Sequence, residues 1–217
     1  MQFAGKRVPA EKLSGFWQHS FLSALLSERV ARQVDYFEKE QAYLGGLLHD
    51  IGQLPLWIVL LEEEAKRLPL PPHAWPDDCT LEREYFGMDH CKVGRWMAVS
   101  WNFMPSFLDV FEAHHRPERA QHDPYLVGIV AAADRFLQTQ QQHESEPFAE
   151  HAGEPHLPGE PLPSETASAD FLQPCLPQLA ESERHALLEM LQTEYIHVLP
   201  LVQLGVIAAA GGPEKAQ

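Results

Sequence analysis

Apolar residues recur at three- and four-residue intervals through most of the first 140 positions, a spacing that predicts helices. Between 13 and 37, Leu13, Phe16, Trp17, Phe21, Leu25 and Val30 stand at helical spacings with polar residues between them, which predicts an amphipathic helix with His19 on or beside its apolar face. Tyr43, Leu44, Leu47, Leu48 and Ile51 define a second helix over 40–51; Gly52 suits its end and Pro55 the first turn of the next. Further helices are expected at 55–67, 80–86, 90–101, 105–115 and 124–141, separated by "LPLPPHAWPDD", "FGMD", "WNFMP" and "HRPERAQHDP". Leu187, Leu191, Tyr195, Val198, Leu199 and Val202 mark a final helix, expected to bend or break at Pro200. Period-two alternation never runs long enough for a strand. The fold class is therefore all-α, a helical bundle with a C-terminal helical appendage.

Composition divides the chain. From Gln138 the sequence turns to Gln, Glu, Pro and Ser, too poor in branched aliphatics to offset its ordering entropy. This gives a helical core over 1–140, an acidic Pro-rich linker or insertion over 141–168, C-terminal helices over 169–210 packing on the core, and a tail over 211–217. The formal net charge is −15 over 217 residues. Residues 141–217 hold 12 acidic and 2 basic side chains, so most of the acidity is a property of that part. Such a balance argues against nucleic acid as partner, because displacing counterions needs clustered Lys and Arg. Three cysteines, Cys79, Cys91 and Cys175, have no CxxC spacing and leave one over, so reduced thiols are expected rather than a disulfide framework or a zinc knuckle. "LPLWIVLL" (54–61) and "VLPLVQLGVIAAA" (198–210) are too short to span a bilayer, and no apolar signal core opens the chain. A cytoplasmic protein with no membrane partner is expected.

The chemistry sits where apolar segments end. "YLGGLLHDIGQLPLW" (43–57) carries His49 and Asp50 at the end of an apolar helix. Burying even an uncharged polar group without a partner costs roughly 2–7 kcal/mol. His19, His90, His114, His115 and Asp134 also fall at or near predicted helix ends, where neighbouring residues from several helices can converge. Imidazole and carboxylate without thiolate suit Mn, Fe or Zn and disfavour a structural cysteine-type zinc site. Each residue has a plainer alternative. His19 can be a hydrogen-bonded core side chain, His90 a helix cap, His114-His115 a solvated helix end, and Asp134 a partner of Arg135 or Arg119. His73, His122, His143, His151 and His156 lie in polar or Pro-rich surroundings and read as surface.

In order along the chain, "WQHS", "GLLHDIG", "EREYFGMDHCKVGRWMAVSWNFMP", "FEAHH" and "VAAADRFL" resemble the HD-domain superfamily, and most closely its HDOD branch, the HD-related output domain, over about residues 13–137. The resemblance implies an HD-like helical bundle. It assigns His19, His49, Asp50 and Asp134 to a first ion and His90, His114 and His115 to a second, with Asp50 bridging, for one or two divalent ions. In binuclear members the implied reaction is hydrolysis of a phosphomonoester or phosphodiester, because two cations neutralise charge building on a phosphoryl group. Arg116 is the nearest candidate for a phosphate contact. Cyclic di-GMP hydrolysis is disfavoured: the HD-GYP phosphodiesterases need a lysine where Gln53 stands and a Gly-Tyr-Pro loop where "RPERAQHDPY" stands. Gly15 occupies the place of a glutamate that some members use for a third metal.

HDOD regions usually carry a helical half before the "WxHS" helix, so the missing half on another chain, or self-association into a homo-oligomer, is an expectation for partners. Two functional readings follow. The first is a bacterial signalling output module whose metal site serves architecture or ligand sensing and which acts by binding signalling proteins or a phosphate-containing ligand. The second is an active metal-dependent phosphohydrolase with catalytic residues unassigned. A metal-free helical interaction domain is the third and blandest.

Overall fold

The computed structural model describes residues 8–64, 79–145 and 168–210. Among these every regular element is helical: α1 (Ala10–Gln33), α2 (Lys39–Leu48), α3 (Gln53–Glu64), α4 (Cys79–Phe86), α5 (His90–Ser100), α6 (Pro105–Ala113), α7 (Pro124–Ser145) and α8 (Glu181–Ala210), with short 3-10 turns at Pro117–Arg119 and Ala169–Leu172. The all-α expectation holds.

Helix α7 is the centre of the bundle. It is buried almost without interruption from Leu126 through "VAAADRFL" to Leu137 against α1, α2 and α6, with Phe136 edge-on to Tyr195 of α8. Leu187, Leu191, Val198 and Val202 of α8 enter the same apolar cluster. A second cluster of Phe16, Ile51, Trp57, Ala98, Phe107 and Phe111 joins the start of α1 to α5 and α6. The side chains that carry chemistry lie between α1, α2, α5, α6 and α7, where helix ends meet.

Several boundaries differ from the sequence reading, for local reasons. Helix α1 stops at Gln33 rather than 37 because Asp35 turns left-handed (φ 53°) and the Tyr36 N–H reaches back 2.8 Å to the Ala31 carbonyl, a common helix terminator. Helix α2 ends at Leu48, three residues early, with His49 as its C-cap. Helix α7 runs on to Ser145, past the composition change at Gln138, since Gln and Glu are good helix formers even where they bury little. The first positions assigned to a linker are thus helical, and residues 146–167 of it lie outside the described residues. Pro200 neither breaks nor ends α8; it sits on the exposed side, where water can take the carbonyl that loses its donor.

One close approach decides the geometry of the site. A Cβ on Gly52, in the turn after His49 and Asp50, would lie 2.1 Å from the His90 carbonyl oxygen and 2.6 Å from the Gly94 nitrogen. Both neighbours are α5 backbone, which cannot rotate away. Glycine here lets the Asp50 turn rest directly on the first turn of α5 and brings His90 to Asp50. Gly52→Ala is expected to cost about 3 kcal/mol through overpacking and to weaken any ion held between Asp50 and His90. Denaturant unfolding beside a metal titration measures both effects.

Candidate metal centre

All seven residues singled out in the sequence converge. His19 comes from the middle of α1, His49 and Asp50 from the end of α2, His90 from the first position of α5, His114 and His115 from the end of α6, and Asp134 from α7. His49, His90, His114 and Asp134 are essentially inaccessible, and Asp50 is buried. His90 is not the cap of α5. Asp89 takes that role, accepting from the Lys92 N–H at 3.0 Å, which leaves the imidazole free for other partners. His114 is fully buried and is no solvated helix end; His115 beside it is about one-third exposed. Asp134 pairs with neither arginine considered for it: it faces His19 at 3.2 Å, His115 at 3.6 Å and His49 at 3.7 Å and accepts from Gln138 at 2.8 Å. Arg135 instead donates to the His115 and Phe171 carbonyls.

The donors fall into two groups with Asp50 between them. Asp50 Oδ2 lies 3.5 Å from His49 Nε2 and 3.8 Å from His19 Nε2. Oδ1 lies 3.3 Å from His90 Nε2 and 3.4 Å from His114 Nε2 and has no hydrogen bond. His19, His49 and Asp134 form one cluster of converging donor atoms; Asp50, His90, His114 and His115 form another.

The tautomers follow from the outer partners. His49 Nδ1 donates to the Gly46 carbonyl at 2.8 Å and His114 Nδ1 to the Val110 carbonyl at 2.9 Å, each within its own helix end. His90 Nδ1 donates to Glu82 Oε2 at 2.7 Å, and the same oxygen accepts the His90 backbone N–H at 2.7 Å. With Nδ1 protonated, a neutral imidazole presents only a lone pair at Nε2. His90 and His114 therefore point lone pairs at each other across 3.4 Å, with Asp50 Oδ1 facing both. His115 Nε2 at 3.1 Å and the Cys91 thiol at 3.5 Å can donate to His90 Nε2, but Asp50 Oδ1 and His114 Nε2 meet as acceptors, an arrangement that a cation would satisfy. Where none is bound, protons take its place. Burial pushes His49 down, but Asp50 and Asp134 outweigh it and hold it up at about 9. Burial likewise opposes charge on His90, while Glu82 and Asp50 hold it up at about 9. Burial and the neighbouring His115 push His114 down to about 3. Asp50 and Asp134 resist the upward push of burial and stay well below the ordinary carboxylate range, Asp50 through His49, His114 and His90, and Asp134 through His19 and His49.

Several residues of the site went unnoticed in the sequence. Glu82, fully buried on α4, orients His90 as outer carboxylates commonly orient metal-ligating histidines. Its position eight residues before His90, in the polar run "EREYF", gave no sign of burial. Glu82→Gln is expected to weaken ion binding roughly ten- to hundredfold, measured by competition with a calibrated chelator. Asp109 is buried and accepts backbone N–H groups from Gln121, His122 and Asp123, with the His122 ring at 3.0 Å, so it folds the segment after His115 back onto α6. His122 lies at the surface, as its polar surroundings predict, and pairs there with Asp109. Gln53, in the lysine position, donates to Asp50 Oδ2 at 2.9 Å. Cys79 and Cys91, set aside for their spacing, place their sulfurs 3.7 Å apart, and Cys91 Sγ lies 3.5 Å from His90 Nε2. Arg116 is exposed beside His115. His73, His151 and His156, and the side chain of His143, lie outside the described residues.

The fold and the site define an all-α bundle whose buried His/Asp clusters are compatible with divalent ions. The HDOD domain model matches residues 2–117, more than half of the chain, and the chain belongs to the HDOD family. The match starts before the first of the motifs and stops short of Asp134, which joins the site only through the fold. Among solved structures, the chain is similar to an HDOD domain protein of unknown function from Geobacter sulfurreducens (21% identity, TM-score 0.55, 89% of this chain and 61% of that one). It is also similar to a protein from Shewanella amazonensis SB2B provisionally described as a phosphohydrolase (18% identity, TM-score 0.58, 94% of this chain and 66% of that one). At such identities the likeness is one of fold, and the chain spans less than two thirds of either neighbour's length. No curated protein matches it. Among the described residues no helix is long and apolar enough to cross a membrane.

Proposed function

We propose that this chain is a metal-holding HDOD output module: one or two divalent ions, Fe, Mn or Zn, fasten the helix ends together, and the module acts by binding signalling proteins or a phosphate-containing ligand. The observation that carries the reading is the meeting of Asp50 Oδ1 and His114 Nε2 as acceptors, with His90 Nε2 facing both. His19, His49, Asp134 and Asp50 Oδ2 would hold one ion; His90, His114, His115 and Asp50 Oδ1 would hold the other. Such ions supply charge that stabilises buried carboxylates and, in an open site, a phosphoryl group.

Binding rather than turnover is favoured by what surrounds the donors. Gln53 is neutral and already engaged with Asp50, so the charge that a lysine would offer a phosphate is absent there. The donors are nearly all buried, with only His19 and His115 reaching partly toward the surface. A second reading, metal-dependent phosphohydrolase, has one observation in its favour: Asp50 faces both donor groups, one oxygen to each, as a binuclear hydrolytic site requires. The Mn²⁺- or Fe²⁺-loaded protein is expected to hydrolyse p-nitrophenyl phosphate and bis(p-nitrophenyl) phosphate no faster than Asp50→Ala does. Turnover in the wild type that Asp50→Ala abolishes would replace the first reading with the second.

A further inference from the structure

The two thiols that the His/Asp centre does not use lie against its edge. Cys79 opens α4, and Cys91 is the second residue of α5, directly after His90. Glu82 of α4 is tied to His90 of α5, so the ends of the two helices that carry the cysteines are held together independently of any sulfur chemistry. Cys91 is buried and Cys79 half-buried, and neither is in a disulfide. With His90 and His115 they form a group whose four donor atoms all lie within 4.8 Å of one another.

Three of the six spacings inside that group match the edges of a coordination tetrahedron, and all six are within 4.8 Å. An ion with Zn–S of about 2.3 Å and Zn–N of about 2.0 Å sets its donors roughly 3.7 Å apart for S···S, 3.5 Å for S···N and 3.3 Å for N···N. Here Cys79 Sγ and Cys91 Sγ are 3.7 Å apart, Cys91 Sγ and His90 Nε2 3.5 Å, and His90 Nε2 and His115 Nε2 3.1 Å. A disulfide would need the sulfurs to close to about 2.05 Å; a tetrahedral ion needs no such movement. The Glu82 carboxylate fixes the His90 proton on Nδ1 and leaves Nε2 to the ion.

We propose that Cys79, His90, Cys91 and His115 form a Cys₂His₂ site for a thiophilic divalent ion, Zn²⁺ by preference, since paired thiolates select zinc over the harder Mn²⁺ or Fe²⁺. Four protein donors fill a tetrahedral ion and leave no open position, which makes the site structural. It joins α4 and α5 to the end of α6. It also takes His90 and His115 from the Asp50-centred group, so the two sites cannot hold both histidines at once, and zinc at the thiolates withdraws the second ion that a binuclear phosphohydrolase requires. The inference goes beyond the proposed function and stands on the cysteines, which that reading does not use.

Co²⁺ reports the donor set directly. Replacing the ion in wild-type protein with Co²⁺ is expected to give thiolate-to-cobalt charge-transfer absorption in the near ultraviolet with the intense visible bands of a tetrahedral ion. Cys79→Ser and Cys91→Ser should each remove the charge-transfer intensity from the missing sulfur and weaken Zn²⁺ binding by more than about a hundredfold, beyond what an outer partner contributes. Asp50→Ala, outside this donor set, should retain the spectrum, so failure of the His/Asp centre is distinguishable from failure here. Zinc X-ray absorption on the wild type, which needs no variant, should show two sulfurs at about 2.3 Å. A zinc shell of nitrogen and oxygen only, or a cobalt spectrum unchanged by both serine variants, would overturn the proposal.

Discussion

Stripping the protein of metal with a strong chelator is expected to lower its thermal unfolding midpoint by about 10 °C. An ion present at a thousand times its dissociation constant contributes about 4 kcal/mol to the native state, and a chain of this size shifts about 2–4 °C per kcal/mol. The stripped protein should also acquire a distinctive pH profile. His49 and His90 are held up at about 9 in the fold, against about 6.5 in an unfolded chain. Groups raised on folding contribute stability below the unfolded value and lose it as the pH climbs through the folded one, so stability falls between about pH 6.5 and 9. His114 is pushed down to about 3, so its contribution falls as the pH drops below about 6.5. The stripped protein is therefore most stable near pH 6.5, while the loaded protein, whose ions hold these imidazoles unprotonated, gains stability as the pH rises through this range. Thermal melts across pH, with and without chelator, check both statements; coincident profiles would mean that no ion is bound.

Asp50→Ala should be the most damaging single substitution for ion binding. Its carboxylate faces both donor groups, one oxygen to each. Losing the carboxylate removes one anionic donor from each ion at once, and it leaves the His49 charge buried against Asp134 alone. Breaking a buried charge pair by removing one partner typically costs about 3–5 kcal/mol. The variant is expected to fold, with lower stability, and to lose on gel filtration the metal held by the His/Asp donors, keeping only zinc bound at the cysteines. Asp50→Asn keeps the shape and one oxygen, and should bind an intermediate amount. Elemental analysis of the three proteins gives the comparison; equal metal in Asp50→Ala and wild type would remove Asp50 from the site.

The parts of this molecule legible in the sequence are those where chemistry contradicts its surroundings. His49-Asp50 at the end of "YLGGLL" and Asp134 within "VAAADRFL" are polar residues in segments otherwise fit only for burial, and both are buried where helices meet. The helical periodicity placed the elements, and the ends of α1, α2 and α7 moved because termination depends on events outside the periodic pattern: the left-handed Asp35, the His49 cap, the helix-forming Gln run. Pro200 does not interrupt α8: it lies on the exposed side, where water can take the carbonyl that loses its donor. Glu82 and the cysteine pair were hidden differently. Glu82 sits in a charged segment that reads as solvated, and only the docking of α4 on α5 buries it. Cys79 and Cys91 are twelve residues apart and have no motif spacing; the turn between α4 and α5 brings them together.

Whether the facing histidines and carboxylates hold ions is read from the metal content of the wild-type protein purified without an affinity chelate. About one to two equivalents of Fe, Mn or Zn per chain are expected, as a mononuclear or binuclear centre requires, retained through gel filtration. A protein that carries no metal and takes up none when incubated with Mn²⁺, Fe²⁺ or Zn²⁺ would contradict this expectation, and would leave the seven residues as a cluster held together by protons alone.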